Sequence, residues 1–202
     1  MEKTNNVEEM FGYDKPFRYS AEWYAGVYHY TPSDDDMVDP GPGQYLARDR
    51  SCLEGMGVRD GDSVLVPGCG GGHNISLLRS AYKGIKIVGF DWSETVLGFC
   101  RRVFPDVLFI QSSVGEFNPA MVFDHVVAFD FTEHLSLTDY AKFIDLSFRS
   151  LRVGGTVGIV PGKTIRPEHI NLMHPCTIAN HLSQFGFKIT AMGQQWVVGE
   201  KP

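Results

Sequence analysis

The regular alternation of apolar and polar positions begins at Ser63. Ser63-Val-Leu-Val-Pro67 is a short apolar run that ends at glycines, and it predicts a buried strand. His73 to Ala81 has the spacing of a helix. Ile85 to Phe90 predicts a second strand. Ser93, with Glu94 behind it, is placed to cap the helix that follows. Val107 to Ile110 predicts a third strand and Phe123 to Phe129 a fourth. Leu137 to Leu151 has the pattern of a long amphipathic helix, which Gly154-Gly155 is expected to stop through a left-handed backbone position. Thr156 to Val160 predicts a fifth strand, and Thr177 to Phe185 a helix ended by Gly186. Phe187 to Thr190 and Trp196 to Val198 predict two further strands. They lie too close in sequence for a helical crossover, so they are expected to form an antiparallel pair. The predicted fold is α/β: a doubly wound, seven-stranded, mostly parallel sheet with an antiparallel C-terminal pair.

Residues 1 to about 50 break this rhythm. They carry the aromatic residues Phe11, Tyr13, Phe17, Tyr19, Trp23, Tyr24, Tyr28 and Tyr30. A turn-rich acidic stretch around Asp34 to Asp36 and Asp39-Pro-Gly-Pro-Gly43 follow them. Residues 1–50 are therefore expected to form a lid that covers a substrate, and residues 51–202 the main domain. The alternative is that the rings pack beneath a first helix.

Composition narrows the partners. With 202 residues, 43% apolar and 21% charged, the chain suits one ordinary globular domain. Its net charge of -6 and its pI near 5.6 offer no basic patch for phosphates. Arg101-Arg102, the one basic doublet within the regular region, falls on a predicted solvent face. A small molecule is expected as partner, and no nucleic acid. No apolar run approaches the roughly 20 residues that span a bilayer, so no membrane is expected. Residues 1 to 10 are polar and acidic, unlike a secretory signal. Cys52, Cys69, Cys100 and Cys176 form no CxxC pair and suggest a reducing, cytoplasmic setting, with the chain a monomer or homodimer.

The chemistry concentrates in Val64-Leu-Val-Pro-Gly-Cys-Gly-Gly-Gly-His73. A buried strand runs into Gly68, Gly70, Gly71 and Gly72 and then into a helix. In an open α/β sheet, ligands bind at the carboxyl ends of the strands, where glycines let a ligand touch main chain. The spacing is G-x-G-x-G. His73 stands where a dinucleotide fingerprint needs its third glycine, and no GKS or GKT triplet makes a P-loop. The second strand runs into Asp91, about 20 residues past the loop, where a carboxylate can accept from ribose hydroxyls. Asp91 can equally cap the helix that begins at Ser93. Trp92 can lie against an adenine ring or simply pack.

These motifs resemble those of class I S-adenosylmethionine-dependent methyltransferases over about residues 60 to 202. Val64 to Gly72 resembles their first motif and Gly89-Phe-Asp-Trp-Ser93 their second. Phe123-Asp124-His-Val-Val127 with Glu133-His134-Leu135 resembles the fourth, and Leu151-Arg-Val-Gly-Gly155 the turn before strand five. The resemblance implies a Rossmann-like fold, S-adenosylmethionine as cofactor, and methyl transfer to an oxygen, nitrogen or sulfur of a small acceptor. It also implies a cofactor site of Gly68, Cys69, Gly70, Gly72, Asp91, Trp92, Ser113, Val114 and Phe129. Read from its own chemistry, Cys69 is a small packing residue. Val66-Pro67 replaces the acidic residue that many members carry before the first glycine, a form similar to the thiopurine and thiol/halide methyltransferases. Ser113 stands where the family often has Asp, with Glu116 nearby to substitute.

For the acceptor side, Asp130, Thr132 and His134 follow strand four and Lys163 follows strand five. His134 is a candidate general base by its ordinary pKa, and Asp130 a candidate base or acceptor anchor. A structural role for His134 is the alternative. His169, His174 and His181 lie at gaps that match no common metal-ligand motif, so no metal is expected. Two further readings are a non-catalytic nucleotide-binding module and another transferase on the same fold.

Overall fold

The computed structural model describes residues 44–163 and 169–202. The aromatic segment expected to act as a lid lies outside these residues. The elements run α1 (Gln44–Met56), β1 (Ser63–Pro67), α2 (His73–Ala81), β2 (Lys86–Asp91), α3 (Glu94–Val103), β3 (Leu108–Gln111) and β4 (Phe123–Phe129). A 3-10 turn (Thr132–His134), α4 (Leu137–Ser150), β5 (Leu151–Val160), α5 (Pro175–Gln184), β6 (Lys188–Met192) and β7 (Val197–Glu200) follow. The boundary expected near residue 50 falls inside α1.

The seven strands form one sheet in the order β3-β2-β1-β4-β5-β7-β6. Strands β1 to β5 pair in parallel, and β7 runs antiparallel to both β5 and β6. The expected seven-stranded, mostly parallel sheet with an antiparallel C-terminal pair is what the chain forms. Strand order reverses between β1 and β4, so their carboxyl ends diverge and open a crevice for ligands.

The sheet is covered on both sides, and its strands read accordingly. Val64, Leu65 and Val66 of β1 and Val126, Val127 and Ala128 of β4 are all buried, as continuous apolar runs require in a parallel sheet. Phe143, Ile144 and Leu146 of α4 and Ile178 and Leu182 of α5 pack into the same core. On α3, Leu97 and Cys100 are buried while Arg101 and Arg102 are exposed, as the doublet's place on a solvent face requires.

Two element ends differ from expectation. Helix α4 stops at Ser150, before the glycine pair. Leu151 already turns into strand geometry, pairs with Phe123 and is fully buried. Gly154, with φ of +74°, instead lets the chain bend inside β5, where its N–H donates to the Lys201 carbonyl at 2.8 Å. Sheet pairing therefore sets the helix end. Ser93 does occupy the N-cap of α3, but its side chain makes no capping bond. Among the described residues no helix is long and apolar enough to cross a membrane.

Candidate functional site at the carboxyl ends of the strands

The glycine loop leaves β1 at Pro67 and turns in three left-handed steps, with φ of +55° at Gly68, +50° at Gly70 and +87° at Gly72. L-residues with a Cβ enter this region at a cost of roughly 1–2 kcal/mol each. Space adds a second demand. A Cβ on Gly68 would collide with the Phe131 ring, whereas one on Gly70 would meet only the Gly68 carbonyl, at 3.9 Å. The loop is thus packed tightly from below at Gly68 and open at Gly70.

Asp91 ends β2 directly beside the loop. Its Oδ2 accepts from the Gly70 N–H at 3.0 Å, and its Oδ1 accepts from the Ser93 N–H at 2.9 Å. The carboxylate is 3% exposed, and burial raises its pKa against the opposing pull of these amide bonds. Asp91 therefore clasps the loop to the start of α3. The Trp92 backbone also hydrogen-bonds to this carboxylate, which leaves it one lone-pair position for a ligand hydroxyl.

The other residues of the expected cofactor site gather around this clasp in different ways. Cys69 and Val114 are buried, and Cys100 Sγ donates to the Gly70 carbonyl at 3.1 Å. Cys69 thus fits its reading as a packing residue. A hydrogen bond with Cys100, then burial, pushes its thiol well above the usual range. Trp92 is exposed at the turn. Ser113 donates through its hydroxyl to Glu116 Oε2 at 2.7 Å, so the expected carboxylate does stand beside the serine. The Ser112 N–H binds the Asp91 carbonyl at 3.0 Å and holds the ends of β2 and β3 together. The Phe129 ring is buried, and its carbonyl accepts from Asn74 Nδ2 at 3.3 Å.

Across the crevice, Asp130 follows β4 with φ of +47°, the one non-glycine residue in the left-handed region among those described. Its N–H donates to the Val160 carbonyl at 2.8 Å. Its carboxylate pairs with Arg48 of α1. Arg48 is buried and also contacts Asp49 at 3.2 Å. Burial pushes the Asp49 carboxyl up to about 7, against the pull of Arg48, whose charge is shared with Asp130. His73, at the start of α2, belongs to the same electrostatic group. Burial lowers its pKa, while Asp130 raises it and Arg48 lowers it further.

Glu133 is buried at 1% exposure beneath this group. Burial, then repulsion by Asp130, pushes its carboxyl up to about 7. His134 lies next to it with Nε2 at 4.0 Å from Glu133 Oε1, and the rings of His134 and His169 meet edge to face at 4.8 Å. Thr132 is buried, whereas Lys163 is exposed. His174 caps α5, its Nδ1 accepting from the Cys176 N–H at 3.3 Å, and His181 packs against Tyr140.

The structure thus brings His134 and Asp130 to one end of β4 and adds Arg48, Asp49, His73, Glu133 and His169, none of them expected as site residues. Glu133 had a signal, since it adjoins His134 in the motif after strand four. His73 had one in its place directly after the glycines. Arg48 and Asp49 had none, because nothing in the local pattern links them to residue 130.

The methyltransferase-domain family matches residues 64–155, from β1 to the bend in β5. A trans-aconitate 2-methyltransferase of Azoarcus is 29% identical over 121 residues, covering 59% of this chain and 47% of that protein. An uncharacterized methyltransferase of Bacillus subtilis is 33% identical over 107 residues, covering 52% and 58%. The chain spans about half the length of these curated relatives. The N-methyltransferase NodS from Bradyrhizobium japonicum, solved with S-adenosylhomocysteine, shares the fold at a TM-score of 0.66 and 16% identity, over 89% of this chain and 98% of that one. Residues 64–155 match the methyltransferase-domain family, and the chain shares its fold with solved methyltransferases such as NodS.

Proposed function

We propose that the chain transfers a methyl group from S-adenosylmethionine to an oxygen, nitrogen or sulfur atom of a small-molecule acceptor. The observation that carries this reading is the Asp91 clasp on Gly70 at the carboxyl ends of β1 and β2. It sets open main chain beside a buried carboxylate, a surface suited to the sugar and amino-acid parts of the donor. The trans-aconitate relative supports a small acceptor, and the acidic net charge supports it further. The reaction is an in-line displacement on the sulfonium methyl, so the site contributes mainly positioning, worth roughly 7–11 kcal/mol in favourable cases. Asp130 and His134 are placed to orient an acceptor across the crevice, and His134 to take a proton where the nucleophile carries one. The four free cysteines suit a reducing, cytoplasmic setting.

The test is turnover with methyl-labelled donor and a panel of thiols, phenols, amines and carboxylates. The expected result is labelled product with at least one acceptor class, lost in Asp130→Ala. Donor binding without transfer to any class would support a non-catalytic binding module instead.

A further inference from the structure

We propose that Glu133, His134 and His169 form a binding site for a divalent transition-metal ion of the zinc class at the carboxyl end of β4. The candidate ligand atoms of these three side chains lie within 4.8 Å of one another. Two imidazoles and one carboxylate are a donor set that suits such ions and leaves coordination positions open. Hard cations such as magnesium prefer all-oxygen surroundings and are disfavoured here.

An independent observation points to a ligand. Glu133 is 99% withdrawn from solvent, yet its Oε2 has no hydrogen-bond partner. A buried carboxylate oxygen left unmatched costs more than an ordinary lost hydrogen bond. The oxygen that approaches His134 Nε2 is Oε1, at 4.0 Å, so a metal ion held by both carboxylate oxygens would supply the missing partner.

The backbone holds the group in place. Glu133 and His134 are neighbours in the 3-10 turn, and the Asn171 N–H donates to the Glu133 carbonyl at 3.0 Å. That bond ties the stretch carrying His169 to the turn. Chain spacing concealed the cluster because the two histidines are separated by the whole of α4 and β5. Tetrahedral zinc with bonds near 2.0–2.2 Å sets ligand atoms about 3.4 Å apart, so the group must close by roughly 1 Å. Both histidines are partly exposed. Arg48, the nearest cation in this group, is already engaged by Asp130 and Asp49.

A coordination position left open by the three ligands would suit an acceptor oxygen. That assignment rests on the methyl-transfer reading and, with His134 on the ion, leaves proton removal to Asp130; the metal site itself does not rest on that reading.

The test is calorimetric titration of the chelator-treated full chain with Zn2+ alone, paired with the visible spectrum of the Co2+ form. Donor binding is measured on the same samples, so failure of the metal site and failure of the donor assignment are separable. One ion per chain is expected, with a cobalt spectrum free of the thiolate charge-transfer band that exposed Cys176 would produce. Glu133→Gln and His169→Ala should each weaken Zn2+ binding at least about tenfold, the range in which even outer-shell partners act. Thermal unfolding in chelator reports whether each variant folds. His169→Ala, outside any helix or strand, carries the test if Glu133→Gln does not fold. Loss in either folded variant sustains the site. No binding in the parent chain, or affinity unchanged in the folded variants, overturns it.

Discussion

The two ends of the crevice are assembled from very different lengths of chain. On the β1–β2 side, the glycine loop and Asp91 lie within one strand–helix–strand unit, and the contact that joins them is a single amide–carboxylate bond. On the β4–β5 side, Asp130 and Glu133 meet Arg48 from a helix more than 80 residues earlier and His169 from beyond β5. The first side is mostly neutral main chain fixed by one carboxylate. The second is a charge cluster, buried at Arg48, Asp49 and Glu133 and exposed at Asp130, whose charges shift the protonation of Asp49, His73 and Glu133. A local turn can be specified by a short motif. A charge cluster depends on the whole fold bringing its members together.

The comparison breaks most severely at Arg48. Arg48→Ala leaves Asp49 buried without its cation and Asp130 without its partner. Removing one partner of a buried pair typically costs about 3–5 kcal/mol, which equilibrium unfolding in urea would register. Donor affinity should change little in the fraction that remains folded.

The same contrast decided how much could be read from the chain alone. The loop, Asp91 and the order of strands and helices were legible because each has a local pattern: glycines after an apolar run, and apolar periods of two and 3.6. The end of α4 was not, because Leu151 leaves the helix to pair with Phe123 rather than in answer to Gly154. Arg48 and Asp49 were not legible as site residues, since a charged residue in an amphipathic stretch looks solvated until its distant partner is placed beside it.

Gly68→Ala should break the donor side. The new Cβ collides with Phe131 and sits at φ of +55°. Left-handed strain and overpacking together suggest a loss of about 2–5 kcal/mol, measurable by thermal unfolding. A fall well under 1 kcal/mol would mean that Phe131 moves aside freely.

Asp49→Asn sharpens the contrast through pH. The folded pKa of Asp49 is raised to about 7, from an ordinary value of 3.8. Below pH 4 both folded and unfolded forms hold the proton, so Asp49 adds no pH dependence there. Between pH 4 and 7 the unfolded chain releases it first, so this group makes stability fall as pH rises, by at most about 1.4 kcal/mol per unit. Above pH 7 its contribution is flat. Asp49→Asn should remove this slope, with stability compared at pH 4.5 and 7; an unaltered slope would assign it to other groups.

The smallest effect is expected outside both regions. Arg79 and Asp106 form an exposed pair at 2.6 Å. Arg79→Ala should change stability by less than about 1 kcal/mol and leave donor binding and turnover intact.

The central claim is that the glycine loop with Asp91 is a seat for S-adenosylmethionine. Calorimetric titration of S-adenosylhomocysteine into the full chain and into Gly70→Val tests it most directly, with NAD as the competing ligand. A side chain at Gly70 meets almost nothing of the protein and projects into the open part of the loop. The account predicts one donor-product site per chain, no comparable NAD binding, and loss of that site in a Gly70→Val protein that still unfolds cooperatively. Unchanged S-adenosylhomocysteine affinity in folded Gly70→Val, or NAD binding at equal strength, would contradict it.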